Sequence, residues 1–267
     1  MVLLYNQYVK KSNLILEIKV VMKNLKNEIV EFIKNYVETA HSKGIVLGMS
    51  GGKDSFIVAA LAVVAIGKDN VFGIIMPNGN QKDIDDAIFE CEYLKIEYAI
   101  SNIENLYNET VSLTKSALKT EELSKVTTLN IAPRLRMNLL YSAAATLGYL
   151  VANTSNLSEK MVGYSTKWGD SVGDFAPLLS LTKTEVQELG MELKLPEELV
   201  YKKPADGLTG STDEEVLGFT YAELDDYIRN GIRTENFEKI LKMHKSSSHK
   251  RNPIKAFECG RKNYFEE

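Results

Sequence analysis

A short glycine-containing segment, GMSGGKDS, occupies residues 48–55 and directly follows the apolar run at 45–47. A glycine turn between a strand and a helix lets backbone N–H groups approach an anion, and the helix directs its positive end to the same point. Ser50 and Ser55 add hydroxyl donors. Asp54 would repel a phosphate unless a divalent cation lies between them. The segment therefore predicts a phosphate-binding loop in which Mg²⁺ bridges Asp54 and the phosphates of a nucleotide.

Two common phosphate-binding motifs do not fit this segment. Lys53 is followed by Asp54 rather than Ser or Thr, and Ser50 stands where a dinucleotide motif has its second glycine. An ordinary tight turn with Asp54 near a helix N-cap remains the alternative interpretation.

Apolar periodicity predicts the elements that must position this loop. Continuously apolar runs predict strands at 44–49, 71–77, 95–101 and 149–155. Helical patterns predict helices near 25–37 and at 54–67, 82–94, 103–118 and 133–148, the last beginning at Pro133. Apolar strands that alternate with helices predict an α/β fold with a doubly wound parallel sheet and helices on both faces. Ligands bind such sheets at the carboxyl ends of the strands, so the loops after the first, second and fourth strands are the candidate site.

Composition limits the class of protein. The 267 residues are 44% apolar and 25% charged, which fits a globular protein with one domain over 1–267, a helical arm at about 1–42 and a helical or tail segment at about 205–267. A net charge of −4 gives no reason to expect nucleic acid as a partner. Cys91 and Cys259 form no CxxC pair, and no apolar run approaches the roughly 20 residues that span a bilayer. These observations predict a cytoplasmic protein with no membrane or nucleic-acid partner.

The sequence also resembles a known family. Ser-Gly-Gly-x-Asp-Ser is similar to the pyrophosphate loop of the adenylating ATP pyrophosphatases, and five further segments resemble NAD synthetases in order and spacing. These are MPNGNQKDIDDA (76–87), NIAPRLRM (130–137), the block from LVANTS to TKTEV (150–186), PADGLTGSTDEEVLGFTY (204–221) and HKR (249–251). The resemblance covers roughly residues 25–255 and implies a Rossmann-like sheet of the adenine nucleotide alpha hydrolase type.

The resemblance implies a role for individual residues. It implies that Asp54 and Glu159 are Mg²⁺ ligands and that Asp54, Lys183 and Asp170 are catalytic. The implied ATP contacts are Gly48, Met49, Ser50, Gly51, Gly52, Lys53, Asp54, Ser55, Thr154 and Lys183. The implied contacts with deamido-NAD are Arg134, Lys167, Asp174, His249 and Lys250.

The reaction that the resemblance implies has two steps. The nicotinate carboxylate of deamido-NAD attacks the α-phosphorus of ATP, and ammonia then attacks the acyl-adenylate to give NAD and AMP, the last step of NAD biosynthesis. Asp170 or Asp174 is the candidate acceptor for the proton that ammonia loses. The length leaves no room for a glutaminase domain beside the matched region, so free ammonia is the expected nitrogen source. The family also implies a homodimer.

Several alternatives remain open at this stage. Without the resemblance, Arg134 and Arg136 would be solvated surface residues, Glu159 a first-turn acid and Lys183 a helix-surface lysine. The sequence departs from the family pattern at Ile75, Pro133, Asn153 and Ala205. A tRNA-modifying adenylating enzyme and a non-catalytic nucleotide-binding protein are the two alternative functions.

Overall fold

The computed structural model describes residues 2–81, 83–202 and 212–257, and for residues 2–19 it describes the backbone only. Within these residues, four parallel strands form one sheet in the order β3-β2-β1-β4. The strands are β1 (Gly44–Gly48), β2 (Val71–Ile75), β3 (Glu97–Ile100) and β4 (Tyr149–Val151). All four predicted strands are confirmed, although each is shorter than its apolar run. The carboxyl ends of β1 and its neighbour β4, the edge strand of this order, therefore open side by side.

Helices connect and flank the strands. Before β4 they are α1 (Val2–Thr39), α2 (Lys53–Ile66), α3 (Ile84–Leu94), α4 (Glu104–Leu118) and α5 (Lys125–Leu147). After β4 they are α6 (Leu157–Val162), α7 (Lys183–Glu192), α8 (Glu197–Val200), α9 (Asp213–Leu217), α10 (Tyr221–Asn230), α11 (Phe237–Ser246) and α12 (Ser248–Arg251). The fold is the predicted α/β arrangement with a parallel sheet.

Apolar side chains fill both faces of the sheet. Successive residues of a strand point to opposite faces, and on β1 Ile45 and Leu47 join one buried cluster while Val46 joins another. The first cluster includes residues of α1, α2, α3 and α7, and the second includes residues of α4 and α5. Burial on both faces explains why β1 and β2 are continuously apolar rather than alternating, whereas β3 is largely exposed.

The prediction that a helix begins at Pro133 was wrong. The helix α5 begins at Lys125, and Pro133 lies inside it. The Ser124 side chain accepts a hydrogen bond from the Thr127 backbone N–H and so caps the helix at its true start. A buried stretch on α5 packs against the sheet on both sides of Pro133, as Ala132 and Met137 show.

No helix among the described residues combines the length and the apolar character needed to cross a lipid bilayer.

The packing of α2 generates a stability prediction. Leu61 is fully buried in the cluster between α2 and the sheet, whereas Val64 on the same helix is 57% exposed. We expect Leu61→Ala to lower the free energy of unfolding by roughly 2–5 kcal/mol, because it removes buried methyl groups and leaves a cavity. Val64→Ala, the matched control, is expected to change it by less than about 0.5 kcal/mol. Urea denaturation followed by circular dichroism measures both, and equal effects would contradict the assigned packing of α2.

Candidate functional site

The glycine loop lies between β1 and α2, as the sequence predicts. Gly51 has a backbone φ of +72°, and a Cβ atom at this position would lie 2.3 Å from the carbonyl oxygen of Asp83. Both the dihedral angle and the lack of space require glycine. The loop backbone is therefore packed tightly against the start of α3.

The hydroxyl groups of the loop bind each other. The Ser50 and Ser55 oxygens are 3.1 Å apart, and the Ser55 hydroxyl donates to the carbonyl oxygen of Gly52. The same Ser55 oxygen accepts a long hydrogen bond from the Ser50 backbone N–H. Rotation of these hydroxyls would let them donate to an anion above the loop.

Lys183 joins three elements at the mouth of the loop. Its ammonium group lies 2.7 Å from Asp54 Oδ2 on α2 and 2.8 Å from Glu159 Oε1 on α6. The ammonium also lies over the ring of Tyr221 on α10, 5.1 Å from the ring centroid. Burial lowers the pKa of Lys183, but the charges of Asp54 and Glu159 raise it further, so the net shift is upward. Lys183 is therefore a permanent cation between two carboxylates.

A second buried lysine lies beside this cluster. Lys53 is 5% exposed, and its ammonium donates a long hydrogen bond of 3.4 Å to the carbonyl oxygen of Lys202. Burial and the neighbouring charge of Lys183 lower the pKa of Lys53, and Asp54 opposes this effect. Two lysine side chains, Lys53 and Lys183, are therefore buried beside the loop.

The carboxylates of Asp54 and Glu159 fit a hard divalent cation. Asp54 Oδ1 is buried and has no hydrogen-bond partner within the described part of the chain. No cluster of three or more His, Cys, Asp or Glu side chains suited to a metal occurs among the described residues. Two carboxylates leave most coordination positions to phosphate oxygens and water, which is the usual arrangement for Mg²⁺ in nucleotide sites.

Two neighbouring cavities open at the carboxyl ends of the strands. The larger, of about 340 Å³, lies between the loop, the end of β2 and the middle of α5. The smaller, of about 180 Å³, is lined by Asp54, Ser55 and Glu159. Ser50, Thr154 and Asp170 line both cavities, and the following predicted residues line at least one of them: Gly48, Met49, Ser50, Gly52, Asp54, Ser55, Thr154, Glu159 and Asp170.

Asp170 lies at the boundary between the two cavities. Its carboxylate accepts a hydrogen bond of 2.6 Å from the Thr166 backbone N–H. Burial raises the pKa of Asp170, and hydrogen bonds and the charges of Lys250 and Arg136 oppose the rise. The Asn153 amide donates to the backbone oxygens of Asp170 and Val172 and so holds this loop in place.

The residues predicted to hold deamido-NAD fall into three places. Arg134 donates from Nε to the Lys167 carbonyl oxygen, and the Lys167 ammonium lies over the ring of Trp168. On α12, His249 is exposed, while the neighbouring Lys250 donates to the carbonyl oxygens of Gly163 and Ser165. These two places border the 163–168 loop.

Asp174 occupies the third place, away from both cavities. Its carboxylate accepts from the Val151 backbone N–H at 2.7 Å and from the Tyr141 hydroxyl at 3.3 Å. Its backbone oxygen accepts from the Tyr36 hydroxyl. In this structure Asp174 holds the end of β4, and its contact with a substrate stays a prediction.

Sequence reasoning missed Arg136. Its guanidinium lines the larger cavity, donates from Nε to the Met76 carbonyl oxygen at 2.9 Å and contacts Gln81. Burial lowers the pKa of Arg136, and Asp170 opposes the shift. Residues two apart lie on different sides of a helix, and of the two arginines in RLRM only Arg134 is exposed, so the sequence pattern separates the two arginines without indicating which one is buried.

Three of the four departures from the family pattern lie at the larger cavity. Ile75, Pro133 and Asn153, from β2, α5 and the segment after β4, all line it. Ala205 and its neighbour Thr209 lie outside the described residues.

An acidic cluster supports the loop from the side of α3. Lys202 donates to the carboxylates of Asp83 and Asp86 and to the carbonyl oxygen of Gly51. Glu90, one turn further along α3, is fully buried, and its two carboxylate oxygens have no hydrogen-bond partner among the described residues. Burial raises the pKa of Glu90 to about 9, although Lys202 opposes the rise.

Comparison with known proteins gives consistent matches. The model of the family described as NAD synthase matches residues 25–254. The NH3-dependent NAD+ synthetase of Thermococcus sibiricus is 46% identical over 202 residues, 75% of this chain and 78% of that protein. The structure of NMN synthetase from Francisella tularensis superposes with a TM-score of 0.81 at 34% identity, covering 88% of this chain and 98% of the other. The NH3-dependent NAD synthetase from Campylobacter jejuni superposes with a TM-score of 0.72 at 30% identity, covering 89% and 99%.

The burial of Glu90 generates a prediction for stability against pH. Glu90 stays protonated in the folded protein up to about pH 9, whereas in the unfolded chain it ionises near its ordinary pKa of 4.5. The folded state binds more protons between these values, so the contribution of Glu90 is fully present below pH 4.5 and is lost as the pH rises towards 9. We expect Glu90→Gln to raise the free energy of unfolding at pH 8 and to have a smaller effect at pH 5. Urea denaturation at both pH values measures this. Glu31→Gln on the exposed side of α1 is the control, and an equal effect of Glu90→Gln at both pH values would contradict the assignment.

Proposed function

We propose a mechanism for this chain that starts from its family: the chain belongs to the NAD synthase family. It is an ammonia-dependent ligase that forms NAD, the last step of NAD biosynthesis. The placement of the substrates, the roles of individual residues, the metal ion and the assembly are our proposals.

The two adjoining cavities suit the two ends of ATP. We place the nucleoside in the larger cavity, whose lining includes Met76, Met137 and Leu140, because apolar walls suit a base. The phosphates then lie in the smaller cavity, above the glycine loop and the start of α2, where backbone N–H groups and the helix dipole favour negative charge. Ser50 and Thr154 line both cavities and contact the region where the nucleoside joins the phosphates.

The contact of Lys183 with both Asp54 and Glu159 is the observation that carries the proposal. Two carboxylates, one on α2 and one on α6, thus contact the same permanently charged ammonium group beside the loop. When the nicotinate carboxylate attacks the α-phosphorus of ATP, pyrophosphate leaves with a growing negative charge. Lys183 and Lys53 offer positive charge to that leaving group, and the loop N–H groups donate to its oxygens.

The metal proposal rests on the two carboxylates. Asp54 and Glu159 would hold Mg²⁺, which supplies positive charge that offsets the charge of the ATP phosphates. In the structure Lys183 pairs with these two carboxylates. If they hold a cation instead, the Lys183 ammonium needs another anionic partner. The phosphates of ATP are the anions that can accept it.

Asp170 suits the second step. Ammonia attacks the carbonyl carbon of the acyl-adenylate, AMP leaves, and the nitrogen releases a proton as the amide forms. The pKa of the Asp170 carboxyl is raised, so this group accepts a proton more readily near neutral pH than an aspartate with an ordinary pKa does. Asp170 also lies beside the place where we put the α-phosphate, because it lines both cavities.

The deamido-NAD contacts are the least constrained part of the proposal. Arg134 and Lys167 lie together at one side of the 163–168 loop, and Lys250 holds its start. We propose that Arg134, Lys167, Asp174, His249 and Lys250 bind the dinucleotide at or near the boundary with a second copy of the chain.

An exposed apolar surface supports a homodimer. Leu106 and Leu113 lie two turns apart on α4 and are 52% and 61% exposed. Val126 and Leu129 lie one turn apart on the adjacent α5 and are also exposed. Contiguous apolar patches of this kind mark interfaces in soluble proteins, and we propose that a second copy of the chain covers this one. We further propose one domain over 1–267 and a cytoplasmic location, where ATP and reduced thiols are expected.

The metal and leaving-group roles generate the first functional prediction. We expect Asp54→Asn to lower kcat on the order of 10²-fold or more, because a neutral amide holds Mg²⁺ and Lys183 less well than the carboxylate does, so that less positive charge faces the departing pyrophosphate. The measurement is pyrophosphate release from ATP with deamido-NAD and ammonium. Asp69→Asn, which changes an exposed aspartate after α2, is the matched control and should keep full activity. Full activity of Asp54→Asn would contradict the assigned role.

The structural match with NMN synthetase favours a second candidate substrate. NMN is NAD without its adenylate half, so the same adenylation and amidation chemistry applies to nicotinate mononucleotide. The same assay, run with deamido-NAD and with nicotinate mononucleotide at equal concentrations, separates the two by their kcat/KM. Preference for the mononucleotide would establish the second candidate and contradict our choice of the dinucleotide.

The dimer proposal generates a prediction for assembly. We expect Leu113→Glu to convert the protein from a dimer to a monomer, because the new charge would be buried without a partner at the interface. Light scattering after size-exclusion chromatography measures the mass. Val216→Glu is the matched control, since Val216 is 55% exposed on α9 and lies outside the proposed surface. A dimeric Leu113→Glu variant would contradict the location of the interface.

A further inference from the structure

A buried carboxylate on α10 lies beneath the Lys183 cluster without touching its charged groups. Asp225 is 6% exposed. Its Oδ1 accepts a hydrogen bond of 2.5 Å from the Ser158 hydroxyl, and its Oδ2 accepts two hydrogen bonds of 2.8 Å from the backbone N–H and hydroxyl of Thr184. Its partners are thus the residue before Glu159 and the residue after Lys183.

These hydrogen bonds form a closed set that joins α6, α7 and α10. The Ser158 oxygen that donates to Asp225 also accepts from the backbone N–H of Lys183 at 3.0 Å. The first N–H groups of a helix have no partner within the helix. Here Ser158 and Asp225 satisfy those of Lys183 and Thr184, and the negative charge of Asp225 is also favourable beside a helix N-terminus.

The helix that carries Asp225 is itself fixed to α7. Arg229, one turn further along α10, makes a two-pronged contact with the Glu185 carboxylate through Nε and Nη2. Leu224 is 1% exposed in a separate apolar cluster, and Tyr221 places its ring beneath the Lys183 ammonium. The helix α10 therefore binds α7 in two ways, through the backbone N–H of Thr184 and through the side chain of Glu185.

The relative position of Glu159 and Lys183 depends on how α6 is held against α7. They lie on separate helices, α6 and α7, and the chain between those helices passes through the loop that carries Lys167 and Asp170. The ion pair between their side chains holds them together in the structure, but Lys183 must change its partner when ATP binds. A backbone link that does not involve the two charged groups would keep α6 and α7 in place during that exchange.

We infer that Asp225 is a positioning residue that holds Lys183 and Glu159 in register through Thr184 and Ser158 and so sets the rate of the adenylation step. The inference rests on the roles proposed above for Lys183 and Glu159. Asp225 contacts neither substrate nor metal. Its removal is expected to act on kcat rather than on substrate affinity, since the affected contacts strengthen as pyrophosphate leaves.

The test combines Asp225→Asn with a double-mutant cycle. Asn keeps the shape of the side chain but cannot accept all three hydrogen bonds. We expect kcat for pyrophosphate release to fall about tenfold to a hundredfold, as for other displacements of about 1 Å at a reacting centre, with KM for ATP changed less than about threefold. Asp226→Asn makes the same chemical change at an exposed neighbour and should leave kcat unchanged.

The cycle uses Lys183→Met, alone and with Asp225→Asn, under single-turnover conditions. If Asp225 acts through Lys183, adding Asp225→Asn to the Lys183→Met variant lowers the rate of pyrophosphate release by less than about threefold. A general loss of structure would instead multiply the two losses, and that result, or a fully active Asp225→Asn variant, would overturn the inference. A fully active Lys183→Met variant would overturn the proposed mechanism, which distinguishes the two failures.

A second pair of variants covers the case in which Asp225→Asn does not fold. Thr184 is exposed, so Thr184→Val keeps the volume of the side chain and removes only the hydroxyl that donates to Asp225. We expect a several-fold lower kcat for Thr184→Val, with an unchanged melting temperature, and recovery in Thr184→Ser. Equal kcat values for the Val and Ser variants would overturn the inference.

Discussion

The contact of one buried ammonium with two carboxylates is the constraint on which the site depends. Lys183, Asp54 and Glu159 come from three helices, and each charge would be costly to bury alone. Their mutual attraction compensates for burial only when α2, α6 and α7 meet at the correct distance. The parallel sheet provides this meeting point, because β1 and β4 end side by side and deliver the loops that lead into α2 and α6.

The same constraint explains why the site combines rigid and adjustable parts. The glycine loop cannot move far, since Gly51 lies against Asp83 and Lys202 binds the Gly51 carbonyl oxygen. The Lys183 side chain, by contrast, can exchange partners by rotating about its own bonds. A reaction that releases pyrophosphate needs this combination of a fixed set of N–H donors and a cation that can follow a moving negative charge.

Much of the fold and part of the site were predictable from the sequence, because both depend on local patterns. Apolar runs separated by helical periodicity fixed the strands, and the loop position follows from the end of β1. The start of α5 was predicted wrongly, because Pro133 suits a first helical turn and outweighed the capping signal of Ser124. Arg136 was missed for a different reason: which of two nearby arginines is buried depends on how α5 packs against the sheet.

Long-range contacts limited the prediction of the remaining site. Tyr221 and Asp225 lie on α10, far along the chain from the loop, and nothing in their local sequence indicates contact with Lys183 or its neighbours. Asp174 illustrates the reverse problem. The family resemblance implied a contact with deamido-NAD, which stays a prediction, whereas the hydrogen bonds that the carboxylate accepts from Val151 and Tyr141 depend on the backbone N–H that the end of β4 leaves without an acceptor.

The Asn153 side chain links two segments of the site that are separate in the sequence. By binding the backbone of Asp170 and Val172, this side chain joins the strand end that carries Thr154 to the loop that carries Asp170. One side chain therefore ties together two segments that line both cavities, the strand end at Thr154 and the loop at Asp170. With Thr154 and Asp170 in the roles proposed above, activation and amidation would share one frame.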